Sequence, residues 1–172
     1  HTIHLVAIAA AAGIRINWDD FSDLSSVIPQ LTRIYPNGQA DVNHYHAAGG
    51  LGFTMSSLLD AGLLHDDVQT ILGPGLKAFC REPVLEDGAV AWKPVTGKSL
   101  DSTVLRPADE PFNDHGGLQL VQGNLCRAVI KTSAVKEKYH RIKAPARVFD
   151  SQQGFVDAFN RGEFTTEMVM ML

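Results

Sequence analysis

The 172 residues predict an α+β chain, helical first and β-rich afterwards. Three observations carry this. Phe21, Leu24, Val27, Ile28, Leu31 and Ile34, and later Leu51, Met55, Leu58 and Leu59, recur at the three-to-four-residue spacing of a helix face. From Glu82 to Ser99 that period disappears among Pro83, Asp87-Gly88, Pro94 and Gly97. Beyond it, Gly116 to Val135 reads as strand, tight turn, strand: Ala128, Ile130 and Thr132 alternate with Val129, Lys131 and Ser133. The expected boundary lies near Pro94 to Ser99. It gives a helical segment 1–94 with one short strand and a β-rich segment 95–172 with one helix.

Taken in order, His1 to Ala12 is expected to be a buried, Ala-rich helix closed by Gly13. His1 and His4 lie one turn apart, and solvent-facing or satisfied histidines explain them better than a ligand pair. Asn17 is an N-cap, with Asp19 and Asp20 in the first turn opposing the helix dipole. Capping and solvation account for Asp19, Asp20 and Asp23 better than a metal site does. Pro29 should break or restart this helix, with Ser25 or Ser26 capping a second piece. Tyr35-Pro36-Asn37-Gly38 is a turn. Asp41 caps a short helix carrying His44 and His46, which would point about 200° apart and share no ion. Gly49-Gly50 ends that helix, and Gly62 closes the next.

Val68, Thr70 and Leu72 alternate as a short strand. Gly73-Pro74-Gly75 leads into a short helix at Leu76–Phe79 and lacks the Gly-Lys-Ser/Thr of a phosphate loop. Strands are expected around Thr103–Leu105, Leu118–Val121, Ala128–Thr132, Lys143–Phe149 and Met168–Leu172. The helix between the last two takes Asp150 as cap and Gln153 at the capping-box position. Phe155, Val156 and Phe159 are its inner stripe, and Gly162 ends it. Gly123-Asn124 supplies the reversal after Leu118–Val121, because both residues tolerate positive φ.

Composition limits function. Hydrophobic residues are 45% and charged residues 20%, the balance of a folded globular chain. A net charge of −4 argues against nucleic acid as partner. No apolar run approaches the ~20 residues of a membrane span. The two cysteines, Cys80 and Cys126, have no paired spacing, which suits a reducing cytoplasm. They are too few for an iron–sulfur cluster, which takes three or four. No Met precedes His1, and Met168–Leu172 is an apolar run with no turn after it, so a longer parent chain is expected. Lys131-Thr132-Ser133 joins a cation to two hydroxyls at a strand end. Such a trio binds an anion such as phosphate or carboxylate, or else is a solvated strand end.

Four runs resemble the sugar-acid and dihydroxy-acid dehydratase family. They are Ile16-Asn17-Trp18-Asp19-Asp20-Phe21-Ser22-Asp23-Leu24, Tyr35-Pro36-Asn37-Gly38-Gln39-Ala40-Asp41-Val42-Asn43-His44, Leu59 to Val68, and Gly123-Asn124-Leu125 followed by Ala128 to Val135. Their order fits from His1 to about Phe164. Within the family the runs are closest to the branch acting on 6-phosphogluconate. Other acids of the family, or a noncatalytic β-domain binding an anion or partner, are the alternatives. The resemblance implies an internal fragment: the helical part of an N-terminal, cluster-binding α/β domain (1–94), then the start of a β-barrel-like C-terminal domain (95–172). It implies loss of water from a 2,3-dihydroxy acid by a homodimeric cytoplasmic enzyme. An iron–sulfur cluster (4Fe-4S rather than 2Fe-2S) would serve as Lewis acid, beside Mg²⁺. The family's cluster cysteines lie before His1 and its serine base after Leu172. No catalytic, cluster or metal residue is therefore expected in this chain, and Lys131, Thr132 and Ser133 are its candidate substrate contacts. Cys126 stands where the family most often has Gly, which would cost strain if that backbone has positive φ.

Overall fold

The computed structural model describes residues 2–171. It divides into two compact units, one ending at Ala134 and one beginning at Val135. The first unit contains helices α1 (Thr2–Ala11), α2 (Trp18–Val27), α3 (Val42–Ala47) and α4 (Gly50–Asp60). Three hairpins follow: β1 (Gln69–Thr70) with β2 (Gly73–Pro74), β3 (Arg81–Glu86) with β4 (Ala89–Pro94), and β5 (Leu118–Gln122) with β6 (Arg127–Lys131). The second unit contains β7 (Ala146–Val148), α5 (Gln152–Asn160) and β8 (Val169–Met171), with β7 and β8 parallel. Helix and strand are mixed, as an α+β chain requires. The described strands form four two-stranded sheets and no closed barrel.

Local chemistry explains most helix ends. Asn17 accepts from the Asp19 N–H while Asp20 accepts from the Asn17 N–H, a complete capping box. α2 stops at Val27, ahead of Pro29, and does not restart. Gln30, Thr32 and Ile34 instead make single bridges to Asn113, Leu105 and Ala40. Leu31 and Ile34 thus reach the core from an extended segment, and Ser25 and Ser26 cap nothing. Asp41 accepts from the Asn43 and His44 N–H groups, and these bonds, His44's backbone first, hold its carboxyl below the usual range. Gly13 takes the left-handed conformation (φ 75°) after α1, as a C-capping glycine does.

The core of the first unit is Leu31, Ala48, Phe53, Val104 and Leu105, with Ile34, Tyr45 and Leu58 packed on it. Two expectations fail here for physical reasons. The inward residue of α4 is Phe53, whereas Leu51 is 64% exposed. Buried Gly50 and Gly52 turn that face inward: a Cβ on Gly52 would lie 2.7 Å from Val95 Cγ1 and 3.0 Å from the Arg81 carbonyl oxygen. An apolar count passes over glycine. Thr103–Leu105 is a turn rather than a strand, wound on Asp101, whose carboxylate accepts from the Thr103 N–H and hydroxyl.

Among its described residues the segment 1–94 carries four strands, not one. The expected strand Val68–Leu72 supplies only β1, which pairs back with β2 at Gly73–Pro74, and the punctuated stretch 81–94 is the β3–β4 hairpin. α1, expected to be buried, has no buried residue, and Ile3, Leu5 and Ile8 are exposed. Its pairing of His1 with His4 lies outside the described residues, as does Leu172 at the end of the last expected strand.

In the second unit the cap of α5 is Ser151, which accepts from the Gly154 N–H, not Asp150; Gln153 donates to Asp157 instead of closing a box. Phe149, Phe155, Phe159 and Phe164 form an aromatic cluster. Arg147 lies over two of these rings and bonds Glu163, whose carboxyl Arg147 and Arg161 hold below its ordinary range. The expected strand 143–149 is shortened to β7.

Candidate functional site

The site is built around the open end of the β5–β6 hairpin, where Leu118 pairs with Lys131. The far end turns over Gly123–Cys126, with the Gly123 N–H donating to the Cys126 carbonyl at 3.0 Å. The chain reverses here as expected, but neither Gly123 nor Asn124 has positive φ. A four-residue connection distributes the bend, so Cys126 sits there without strain.

α2 grips this hairpin. Ser25 accepts twice: its carbonyl from the Gly116 N–H at 2.6 Å and its hydroxyl oxygen from the Leu118 N–H at 3.0 Å. Ser22, one turn earlier, accepts from the Leu120 N–H at 3.3 Å. Asp19 pairs with Arg127 across to β6. Edge groups of β5 that would otherwise face solvent are therefore satisfied by one helix face.

The open end is locked by two hydroxyls. Thr132 Oγ1 donates to the Gly117 carbonyl at 3.2 Å. Ser133 Oγ donates to Asn37 Oδ1 at 3.1 Å. A Cβ on Gly117 would come 1.9 Å from Ser133 Oγ, so this approach requires glycine. Asn37 belongs to the tight turn Tyr35–Gly38, closed by Asn37 N–H to the Ile34 carbonyl and Tyr35 N–H to the Ala40 carbonyl, both 2.8 Å. Two sequence runs far apart in the chain meet at this point.

Lys131 itself is exposed. It borders a cavity of about 390 Å³ lined by Thr2, Trp18, Leu118, Ala128 and Val129. No described carboxylate forms an ion pair with it. A hydroxyl has one proton to donate, and those of Thr132 and Ser133 are engaged within the protein. The ammonium of Lys131 keeps three N–H donors. In chemical terms the place offers a cation on an anchored strand end.

The remaining candidates are dispersed. Asp19 and Asp20 serve the ion pair and the capping box. Cys126 is exposed, and Cys80 is half-buried with a thiol pushed up by burial and by Asp60 and Asp66. No three His, Cys, Asp or Glu side chains gather to hold a metal among the described residues. This donor set does not fit an iron–sulfur cluster or a dedicated Mg²⁺ cage. No described helix is long and apolar enough to cross a membrane. Sequence reasoning missed Ser22, Ser25 and Asn37 as parts of the site. The signal available was the i, i+3 spacing of the two serines beside Trp18 and Phe21, which share the packed face of α2; Leu24 and Val27, expected on an inner face, are exposed instead.

Residues 1–79 match the model of the dihydroxy-acid/6-phosphogluconate dehydratase N-terminal domain, and residues 103–172 match that of the C-terminal domain. The chain is 52% identical over 172 residues to a phosphogluconate dehydratase of Pseudomonas aeruginosa and 51% identical over the same length to one of Escherichia coli. All of this chain and 28% of each relative are covered. A dihydroxy-acid dehydratase of Sulfurisphaera tokodaii is 37% identical over 153 residues, covering 88% of this chain and 25% of the relative. The chain thus spans little more than a quarter of the length of these relatives.

Proposed function

The chain belongs to the dihydroxy-acid/6-phosphogluconate dehydratase family, and from that premise we propose that it is a segment of a 6-phosphogluconate dehydratase. One observation carries the choice of substrate: identity is markedly higher to the relatives named phosphogluconate dehydratase than to the one named dihydroxy-acid dehydratase. The reaction is loss of water across C2–C3 of 6-phospho-D-gluconate. The resulting enol becomes the keto acid 2-dehydro-3-deoxy-6-phosphogluconate. The full-length enzyme is proposed to be a cytoplasmic homodimer. Its 4Fe-4S cluster and Mg²⁺ would be held by residues beyond these 172, since the donors present do not fit them.

Within this segment, Lys131 is the proposed contact to the anionic end of the substrate. Among the described residues no carboxylate pairs with its ammonium, and it stands on a strand end fixed from both sides. Lys131→Ala in the full-length enzyme should raise KM for 6-phosphogluconate by about tenfold or more, because a charge-assisted contact is worth ~1.5–3 kcal/mol. The rise should be smaller for an analogue lacking the phosphate. Unchanged kinetics in a folded variant would leave Lys131 an ordinary surface residue. A dihydroxy-isovalerate turnover exceeding that of 6-phosphogluconate would overturn the substrate. The 172 residues alone should stay colourless and inactive after anaerobic treatment with iron and sulfide.

A further inference from the structure

We infer that Asn37 is a positioning residue for Lys131, acting through Ser133. Thr132 and Ser133 hold the strand end and do not themselves bind the anion. This rests on the reading of Lys131 given above and deepens it.

The argument is one of protons and space. Ser133 has a single hydroxyl proton, directed at Asn37 Oδ1, and Thr132 has one, directed at the Gly117 carbonyl. Turning either toward a ligand would leave a half-buried acceptor without its donor. Ser133 also has no room to move toward Gly117, where even a methyl group would collide with it. The partner it has chosen is fixed in its turn. The Asn37 N–H is bonded to the Ile34 carbonyl, and a side chain at Gly38 would lie 2.3 Å from the Arg33 carbonyl oxygen. Ile34 packs on the buried core. A continuous set of contacts therefore runs from the core through Ile34, Asn37 and Ser133 to the residue two places beyond Lys131. The β5–β6 ladder ends at the Leu118–Lys131 pair; the next residues, Thr132–Ala134, make a single 3-10 turn, and these contacts tie that turn to the rest of the unit. A lysine side chain has four rotatable bonds, and a fixed base narrows the volume its ammonium samples.

The test is steady-state kinetics of the full-length enzyme with 6-phosphogluconate, comparing Asn37→Ala, Asn37→Asp, Ser133→Ala, the Asn37→Ala/Ser133→Ala double variant and Lys131→Ala. Asn37→Ala and Ser133→Ala should each raise KM about fivefold, the loss of one hydrogen bond, with kcat little changed. The double variant should be no worse than either single one, because both remove the same bond. Asn37→Asp keeps an acceptor for Ser133 and should stay near wild type. Were Asn37 or Ser133 to touch the anion directly, the added charge of Asn37→Asp would raise KM above that of Asn37→Ala, and that result overturns the inference. So does an additive double variant. A rise for Lys131→Ala with none for Asn37→Ala or Ser133→Ala sinks the positioning role alone. An unchanged KM for Lys131→Ala sinks both it and the reading of Lys131. Should Asn37→Ala fail to fold, as judged by Tm, Asn37→Asp against Ser133→Ala makes the same comparison: an Asn37→Asp KM above that of Ser133→Ala overturns the inference, one near wild type supports it.

Discussion

β3–β4 pairs six residues with six and turns on Asp87 and Gly88, whose φ angles of 49° and 78° are both left-handed. β5–β6 pairs five with five and turns over four residues with no left-handed backbone. The first hairpin is closed by its own turn, because a two-residue loop with two positive φ angles matches the twist of paired strands. It leaves Leu85, Val90 and Trp92 exposed. The second has an undemanding turn and is held from outside, by Ser22, Ser25 and Asp19 of α2 and by Asn37. The difference separates two kinds of information. One hairpin is written in two adjacent residues, and the other in side chains distant along the chain.

The comparison can be broken at either end. The largest effect should follow Gly117→Ala, which places a methyl group against Ser133; overpacking of this kind costs about 3 kcal/mol. Urea unfolding within 0.5 kcal/mol (about one kT) of wild type would show that the lock is slack. Ser25→Ala leaves the Leu118 N–H without its acceptor and should cost about 1.5 kcal/mol. Amide exchange should quicken along β5 and not along β3; equal protection in both hairpins refutes the clamp. Gly88→Ala should cost about 1 kcal/mol, through its left-handed φ alone, since no atom lies near its added Cβ. Here the exchange pattern reverses, with β3 and β4 loosened and β5 untouched. Arg127→Ala should have the smallest effect, at most about 0.5 kcal/mol, because its pair with Asp19 is half exposed. That loss should vanish in high salt, and a salt-independent loss would point to packing by the arginine stem.

Local signals were legible and distant ones were not. Asn17, Asp41 and Gly13 announce their structures within a few residues and form as read; the alternation around Ile130 gives its strand, but that strand stops at Lys131, before the Thr132–Ala134 turn. Asp87-Gly88 is equally local but reads as punctuation, because the flanking Pro83 and Pro94 obscure the alternation of Val84, Leu85, Val90 and Trp92. Phe53 does not stand out because Gly50 and Gly52, which an apolar count passes over, share the inner face of α4 with Leu58. Lys131, Thr132 and Ser133 stand out as a cluster in the sequence, but it is the fold that engages the hydroxyls of Thr132 and Ser133 within the protein. Ser25 reads as a helix cap because its true partner, Leu118, is 93 residues away.

That separation has a consequence for how the chain is made. The bonds from Leu118 to Ser25, Leu120 to Ser22 and Ser133 to Asn37 span 93, 98 and 96 residues. Translation at about 5–20 residues per second puts roughly 5–20 seconds between the emergence of each clamp and its strand. α2 can form during that wait, since its capping box closes within four residues. Its serine face, however, has nothing to hold until β5 arrives. β3–β4 needs no such delay and can close within about 10 microseconds of leaving the ribosome. The segment should therefore assemble out of register with its own synthesis, with the early helix waiting for the late hairpin.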